Sequence, residues 1–267
     1  MHFLGLQIAE CGLRNADGRA CRRQIRNPKS PIRNQGQSQT RTMLVAGILA
    51  LAGCAPAPTA SSSGQGWRDT FPVAKANLVP TGRNPYLVLE PGYRLRYQSG
   101  RETLTISVLD QTKVVDGVET RVVEEREEQG GKLTEVSRNY YAIDKASNDL
   151  YYFGEDVDIY KDGKVVGHQG AWLSGAGGAR FGLMLPGKAR VGDRFYQEVA
   201  PKVAMDRAEV ISVTEKLKVP AGTFSNCLHV RETSPLDSGA GDKWYAPGVG
   251  LIKDDEFELV WIEPAKK

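Results

Sequence analysis

The chain has 267 residues, 25% of them charged and 40% hydrophobic, which is an ordinary globular balance. Its net charge of +3 hides two unlike parts: residues 1–53 hold eight Lys/Arg against two acids, leaving 27 basic and 30 acidic residues from Cys54 onward. The main part is therefore mildly acidic, and the pI near 8.6 is no argument for a nucleic-acid partner.

In chain order, the first element is an export signal. Met43 to Cys54, MLVAGILALAGC, supplies an apolar run of roughly ten residues, the length of a signal peptide and too short for a resident bilayer helix. Arg41 and the basic residues before it serve as the positive flank. Leu51, Ala52 and Gly53 place small residues before Cys54, as a lipoprotein signal peptidase requires, and only a thiol is readily made into a diacylglyceryl thioether. Cys54 is thus the expected lipidation site, and the membrane the expected partner through that lipid. Ala55 follows it with no acidic residue to signal inner-membrane retention. The expected location is the bacterial cell envelope, on the outer membrane and facing the periplasm. Residues 1–42 carry an imperfect basic repeat, from Ile25 to Pro31 and again from Ile32 to Ser38, which cannot bury a core. They read as sequence upstream of the true start.

The expected organisation is a leader over 1–53, a lipidated cysteine and flexible tether over 54–66, and a single β-rich domain over 67–267. A Pro/Ala/Ser/Gly tether of a dozen residues has a root-mean-square reach of about 20 Å. Cys11 and Cys21 fall in the leader, so Cys227 alone remains in the folded part, and no internal disulfide is available there. It reads as a small buried residue on a strand.

The folded part reads as strands and turns throughout. Asp116-Gly117, Gly130-Gly131 and Asp162-Gly163 are two-residue hairpin turns with β-branched or aromatic flanks. They predict Val115 opposite Val118, Arg126 opposite Glu135 and Tyr160 opposite Val165. The predicted strands cover 92–98, 102–110, 118–128, 132–142, 149–153, 157–160, 164–168, 193–199, 207–217, 226–233, 242–246 and 256–262. No window sustains a helical period. Consecutive hairpins imply an all-β fold (α+β at most), an antiparallel meander curved into a half-barrel or sandwich, and disfavour a parallel nucleotide-binding sheet. The polar run Glu124 to Glu128 predicts a hairpin tip projecting into solvent.

Between Gly170 and Gly187, six glycines alternate with Trp172, Phe181, Leu183, Met184 and Leu185. A glycine-rich loop with such side chains must lay them on something. It is either a lid over a concave sheet, with Trp172, Phe181 and Met184 contacting a ligand, or a strap in the core.

Catalytic and metal patterns fail on residue type. Gly182 to Ala189 spaces its glycines like a phosphate loop but has Ala189 where the metal-binding hydroxyl belongs. Ser174 lacks the leading glycine of a nucleophile elbow, and His168 and His229 are the only histidines after the leader. Glu155, Asp156, Asp158 and Asp162 depart from the calcium-loop order. No pair of carboxylates is marked for glycosidase chemistry. The expectation is no catalytic residues, no metal, no cofactor and no enzyme.

Near the C-terminus, VPAGTFSNCLHVRETSPLD (Val219 to Asp237) and KWYAPGVGLIKDD (Lys243 to Asp255) resemble a pattern recurring in uncharacterised bacterial secreted proteins and lipoproteins. NPYLVLEPGYRLRY (Asn84 to Tyr97) and YYFGEDVDIYKDGKVV (Tyr151 to Val166) resemble earlier parts of the same proteins. The second half is similar to periplasmic domains of the LolA/LppX type, which implies a curved antiparallel half-barrel around an apolar cavity and brings no catalytic residues. In physical terms, Pro220-Ala221-Gly222-Thr223 is a tight turn, and Tyr245-Ala246-Pro247-Gly248 ends one strand before the next begins at Val249. Two functions follow as expectations: a lipid-anchored protein holding a lipid or other apolar ligand in its concave sheet, or an envelope scaffold that binds another protein through sheet edges or the acidic hairpin tip. An apolar cavity favours the first and a filled core the second.

Overall fold

A computed structural model describes residues 66–265. The leader, Cys54 and the tether up to Gln65 lie outside the described residues.

A single turn of 3₁₀-helix at Lys75–Asn77 opens the domain, and every other regular element is a strand. The first three are short: β1 (Leu78–Val79), β2 (Gly82–Asn84) and β3 (Leu87–Leu89). A meander of long strands follows: β4 (Arg94–Ser99), β5 (Glu102–Val115), β6 (Val118–Gln129), β7 (Lys132–Asp144) and β8 (Leu150–Lys161). Then come β9 (Lys164–Gly167), β10 (Trp172–Leu173), β11 (Arg180–Leu185), β12 (Arg194–Tyr196) and β13 (Glu198–Val199). The last five are β14 (Arg207–Val219), β15 (Gly222–Thr233), β16 (Ala240–Ala246), β17 (Gly250–Asp254) and β18 (Phe257–Glu263). The all-β, antiparallel expectation holds, and no helix among the described residues is long and apolar enough to cross a membrane.

One antiparallel sheet runs in the order β12-β14-β15-β16-β17-β18-β4-β5-β6-β7-β8-β11-β13. Its two ends are neighbours in sequence. Residues 194–196 pair with β14 while 198–199 pair with β11, so one bent segment joins both margins and all but closes the sheet into a barrel. Closure removes the exposed edges that an open half-barrel would carry. Among the edges that remain is β9, which pairs only with the second half of β8 and leaves Val165 and Val166 exposed.

The hairpin arithmetic survives at two turns of three. Val115 faces Val118 and Tyr160 faces Val165, as expected. At Gly130-Gly131 the turn itself is right, since Gln129 faces Lys132 and Glu128 faces Leu133. The register then shifts by one, Thr134 being the extra residue, so Glu127 faces Glu135 and Arg126 faces Val136. The expected pairing of Arg126 with Glu135 is therefore wrong, and a bulge is the reason. Two predicted strands, 149–153 and 157–160, are one strand: β8 runs through Gly154, whose φ of +143° and bulged register let the β10 backbone pack directly against it.

The segment from Gly170 to Gly187 is not a free loop. Trp172 pairs with Glu155 and Leu173 with Gly154, while Gly182, Leu183 and Leu185 pair with Tyr152, Tyr151 and Leu150. Its glycines serve close approach: a Cβ at Gly182 would collide with the backbone of Gln197 and Tyr196. Cys227 is buried on β15, with burial pushing its thiol above the ordinary value.

The core is a continuous cluster containing Leu89, Tyr97, Phe153, Leu183, Leu185, Phe195, Leu228, Ile252 and Leu259, each at most 1% exposed. Burying each such side chain contributes about 1.5–3 kcal/mol. Tyr97 also satisfies its hydroxyl by donating to the Leu251 carbonyl at 2.8 Å.

Candidate functional site

Strand alternation aims every second residue into the barrel. Along β6 that face runs Val123, Glu125, Glu127, and along β7 it runs Glu135, Ser137, Asn139, Tyr141, with Glu125 opposite Ser137 and Val123 opposite Asn139. The Glu124–Glu128 tip therefore does not project past the core. The period-2 face that carries Val123 continues inward through Glu125 and Glu127, while Glu124, Arg126 and Glu128 fall on the other face.

These side chains meet others from the far wall around a cavity of about 70 Å³. Eight carboxylates line it: Glu125, Glu127, Glu135, Glu155, Glu198, Asp206, Glu232 and Asp254, with Lys243 the lone cation. Lys243 holds Glu232 at 2.8 Å and Asp254 at 3.6 Å. Gln197 Nε2 donates to the other Glu232 oxygen at 2.7 Å, and Glu198 Oε1 accepts the Asp206 backbone N–H at 3.1 Å. The Tyr152 hydroxyl lies 2.6 Å from Asn139 Oδ1 and 2.9 Å from Glu155 Oε2. Asp254 Oδ1 has no hydrogen-bond partner among the described residues.

Crowded acids shielded from bulk solvent resist ionisation. Burial, reinforced by Glu125 and Asp254, pushes Glu127 up to about 7. Burial also carries Asp254 up to about 7, Lys243 opposing and Glu232 adding to the shift. Burial alone would lower Lys243, but Asp254 and Glu232 overcome it and hold the ammonium well above its ordinary value. Glu127 and Glu135 sit directly opposite each other, a like-charge pair that costs stability unless a proton is shared into the cluster.

The cavity has room for about five waters on a share of roughly 10–15 Å³ each. It is far below the roughly 300–1,000 Å³ of sites that take small organic ligands, and its wall interleaves those carboxylates with Leu104, Met184 and Phe257. It can store protons and water. No group of three or more His, Cys, Asp or Glu side chains among the described residues is arranged to hold a metal ion.

Of the three residues expected to contact an apolar ligand, Trp172 and Phe181 do not line this space. Trp172 is buried edge-on against Tyr152, with ring centroids 5.2 Å apart. Phe181 stacks on Phe153 at 4.7 Å and meets Tyr151 edge-on. Of the three, Met184 alone reaches the cavity, its sulfur 3.5 Å from Gln197 Nε2. Cys54 lies outside the described residues. Ser174 Oγ donates to Asp116 at 3.0 Å and accepts the Phe181 N–H at 3.0 Å, which ties the strap to the β5–β6 turn.

His229 is the strand residue it was expected to be, with surroundings its local sequence does not reveal. Nδ1 lies 3.0 Å from Glu215 and Nε2 2.8 Å from Asp242, and the ring stacks on Trp244 at 4.4 Å. Trp244 in turn donates to Glu215 at 2.7 Å. This cluster knits β14, β15 and β16 together on the outer wall. The acidic cavity itself escaped sequence reasoning, although Val123-Glu124-Glu125-Arg126-Glu127 already carried its alternation.

No protein-family model matches the chain, and no curated protein matches it. Among solved structures, a crystal structure from Parabacteroides distasonis, described as that of a candidate lipoprotein, is similar at 13% identity. The similarity covers 67% of this chain and 97% of that one, with a TM-score of 0.33.

Proposed function

We propose that the protein is a lipid-anchored cell-envelope protein that acts through the outside of a filled barrel, as a scaffold or accessory to other envelope proteins, and that it holds no lipid ligand inside that barrel. The lipid anchor is Cys54, supported by the Leu51-Ala52-Gly53-Cys54 order and the Pro/Ala/Ser tether after it. The observation that carries the choice between carrier and scaffold is the interior. A barrel with a 70 Å³ acid-lined cavity offers no berth for hydrocarbon, whose burial beside carboxylates would cost their solvation without gaining apolar contact. The β9 edge, with exposed Val165 and Val166, is the surface best suited to add a strand from a partner. No residue is assigned a catalytic role.

Native mass spectrometry of the protein extracted from its own membrane tests both halves. The expected mass is the chain from Cys54 plus covalent acyl groups and nothing more. A second, non-covalent lipid that travels with the protein would overturn the filled-barrel reading. Persistence of palmitate labelling in Cys54→Ala would overturn the anchor.

A further inference from the structure

We infer that the face around Gly66, where the tether joins the fold, is a docking surface for the anionic phosphates of the bilayer that carries the anchor. A cleft of about 510 Å³ opens there, with Gly66 in its wall. Four cations line it, Arg68, Lys188, Arg190 and Arg194, against two carboxylates, Asp149 and Asp193. Both acids are already engaged by the backbone: Asp149 accepts the Gly187 N–H at 2.7 Å and Asp193 accepts the Arg190 N–H at 2.9 Å. Arg194 is held by Glu209 at 2.8 Å, whereas Lys188 and Arg190 are exposed and make no ion pair among the described residues. A surplus of cations here stands out on a chain that is net acidic from Cys54 onward.

The exit point is fixed rather than loose. The Arg68 N–H donates to the Arg194 carbonyl at 3.1 Å and the Arg68 carbonyl accepts the Tyr196 N–H at 2.8 Å, so the tether leaves the barrel beside the cleft. Next to it Trp67 lies under the Arg207 and Arg194 guanidiniums, at 4.4 and 5.8 Å, and Val191 is 66% exposed. Cations flanked by an indole and an exposed aliphatic side chain suit the boundary between headgroups and water. A flexible tether of twelve residues has a root-mean-square reach of about 20 Å, which makes the second contact effectively intramolecular. The attraction of several basic residues to an anionic surface is then enough to orient the domain.

The inference rests on the anchoring proposed above, but its test does not. The mature chain from residue 54, carrying Cys54→Ser and hence no lipid, is sedimented with vesicles of phosphatidylglycerol or of phosphatidylcholine. It should partition onto the anionic vesicles only, and raised salt should release it. Lys188→Glu with Arg190→Glu should lower that partitioning at least tenfold. Lys132→Glu with Lys164→Glu, at turns on the opposite end, should leave it unchanged. Equal binding to neutral vesicles, no binding to anionic ones, or equal loss in both double variants would overturn the proposal. Failure of the anchor would appear separately, as palmitate labelling that ignores Cys54.

Discussion

The two ends of the barrel carry charge in opposite ways. At the end marked by the β6–β7 turn, eight carboxylates crowd a 70 Å³ interior around one lysine. At the end marked by the β7–β8 turn, four cations stand around an outer cleft. Strand β7 links them, and from Glu135 to Asp144 it spans about 30 Å at roughly 3.4 Å per residue. Burial, more than sign, makes the difference. Enclosed charges are held in a network whose members shift one another's protonation and cannot be removed singly. Exposed charges keep their hydration, cost the fold little, and remain available to something outside.

The sharpest way to break that contrast is to remove the single interior cation. Lys243→Met keeps the length of the side chain and leaves Glu232 and Asp254 without a counter-charge. Losing one partner of a buried ion pair costs about 3–5 kcal/mol, and urea unfolding at pH 8 should show a loss of that size. At pH 5 the loss should shrink, because the stranded acids can take up protons. A cost below about 1 kcal/mol at pH 8 would mean that water already solvates the cluster.

Next in size is the strap that walls the interior. Trp172→Ala removes a 94%-buried indole packed on Tyr152, and about 3 kcal/mol should be lost with no change in apolar-probe binding. If probe binding were present in the wild type and vanished in the variant at little cost in stability, the strap would be a lid.

The pH profile is a more specific test. Glu127 and Asp254 titrate near 7 in the folded chain and near 4 once unfolded, so between those values the folded state holds the extra protons. Stability is therefore greatest toward pH 4, falls as pH rises to about 7, and levels off above. At about 1.4 kcal/mol per pH unit for each of the two groups, a decline of several kcal/mol is expected across that window, and Glu127→Gln should remove roughly half of it. Stability that rises from pH 5 to 8 would refute the buried, crowded acid cluster.

How much of this was legible in the sequence depends on how local the cause is. Hairpin turns such as Asp116-Gly117 and Asp162-Gly163 set their register through two residues, so the facing pairs could be read directly. The shift beyond Gly130-Gly131 could not, because the bulge at Thr134 lets Glu127 and Glu135 face the same interior, a requirement set by the far wall. Gly154 looked like a strand break because its role is to admit the β10 backbone, which arrives from almost 20 residues away. The interior site was hidden for the same reason. Glu125, Glu198, Glu232 and Asp254 are scattered along the chain, and only closure of the sheet through residues 194–199 gathers them. The basic cleft also draws on separate segments, and Lys188 and Arg190 read as ordinary loop residues.

The smallest expected effect completes the comparison. Lys188→Met is the same substitution as at Lys243, made at the exposed end. Lys188 has no ion-pair partner among the described residues, and its turn is held by backbone bonds instead: Gly187 N–H to Asp149 and Arg190 N–H to Asp193. Truncating an unpartnered surface charge usually changes stability by no more than about 0.5 kcal/mol. The urea midpoint should therefore stay within that margin at pH 5 and at pH 8 alike, while partitioning onto anionic vesicles falls. A loss above about 1 kcal/mol would show that the cleft's cations neutralise Asp149 and Asp193 in the folded state. The cleft would then be a structural charge cluster like the interior one, and it would no longer be free to meet a membrane.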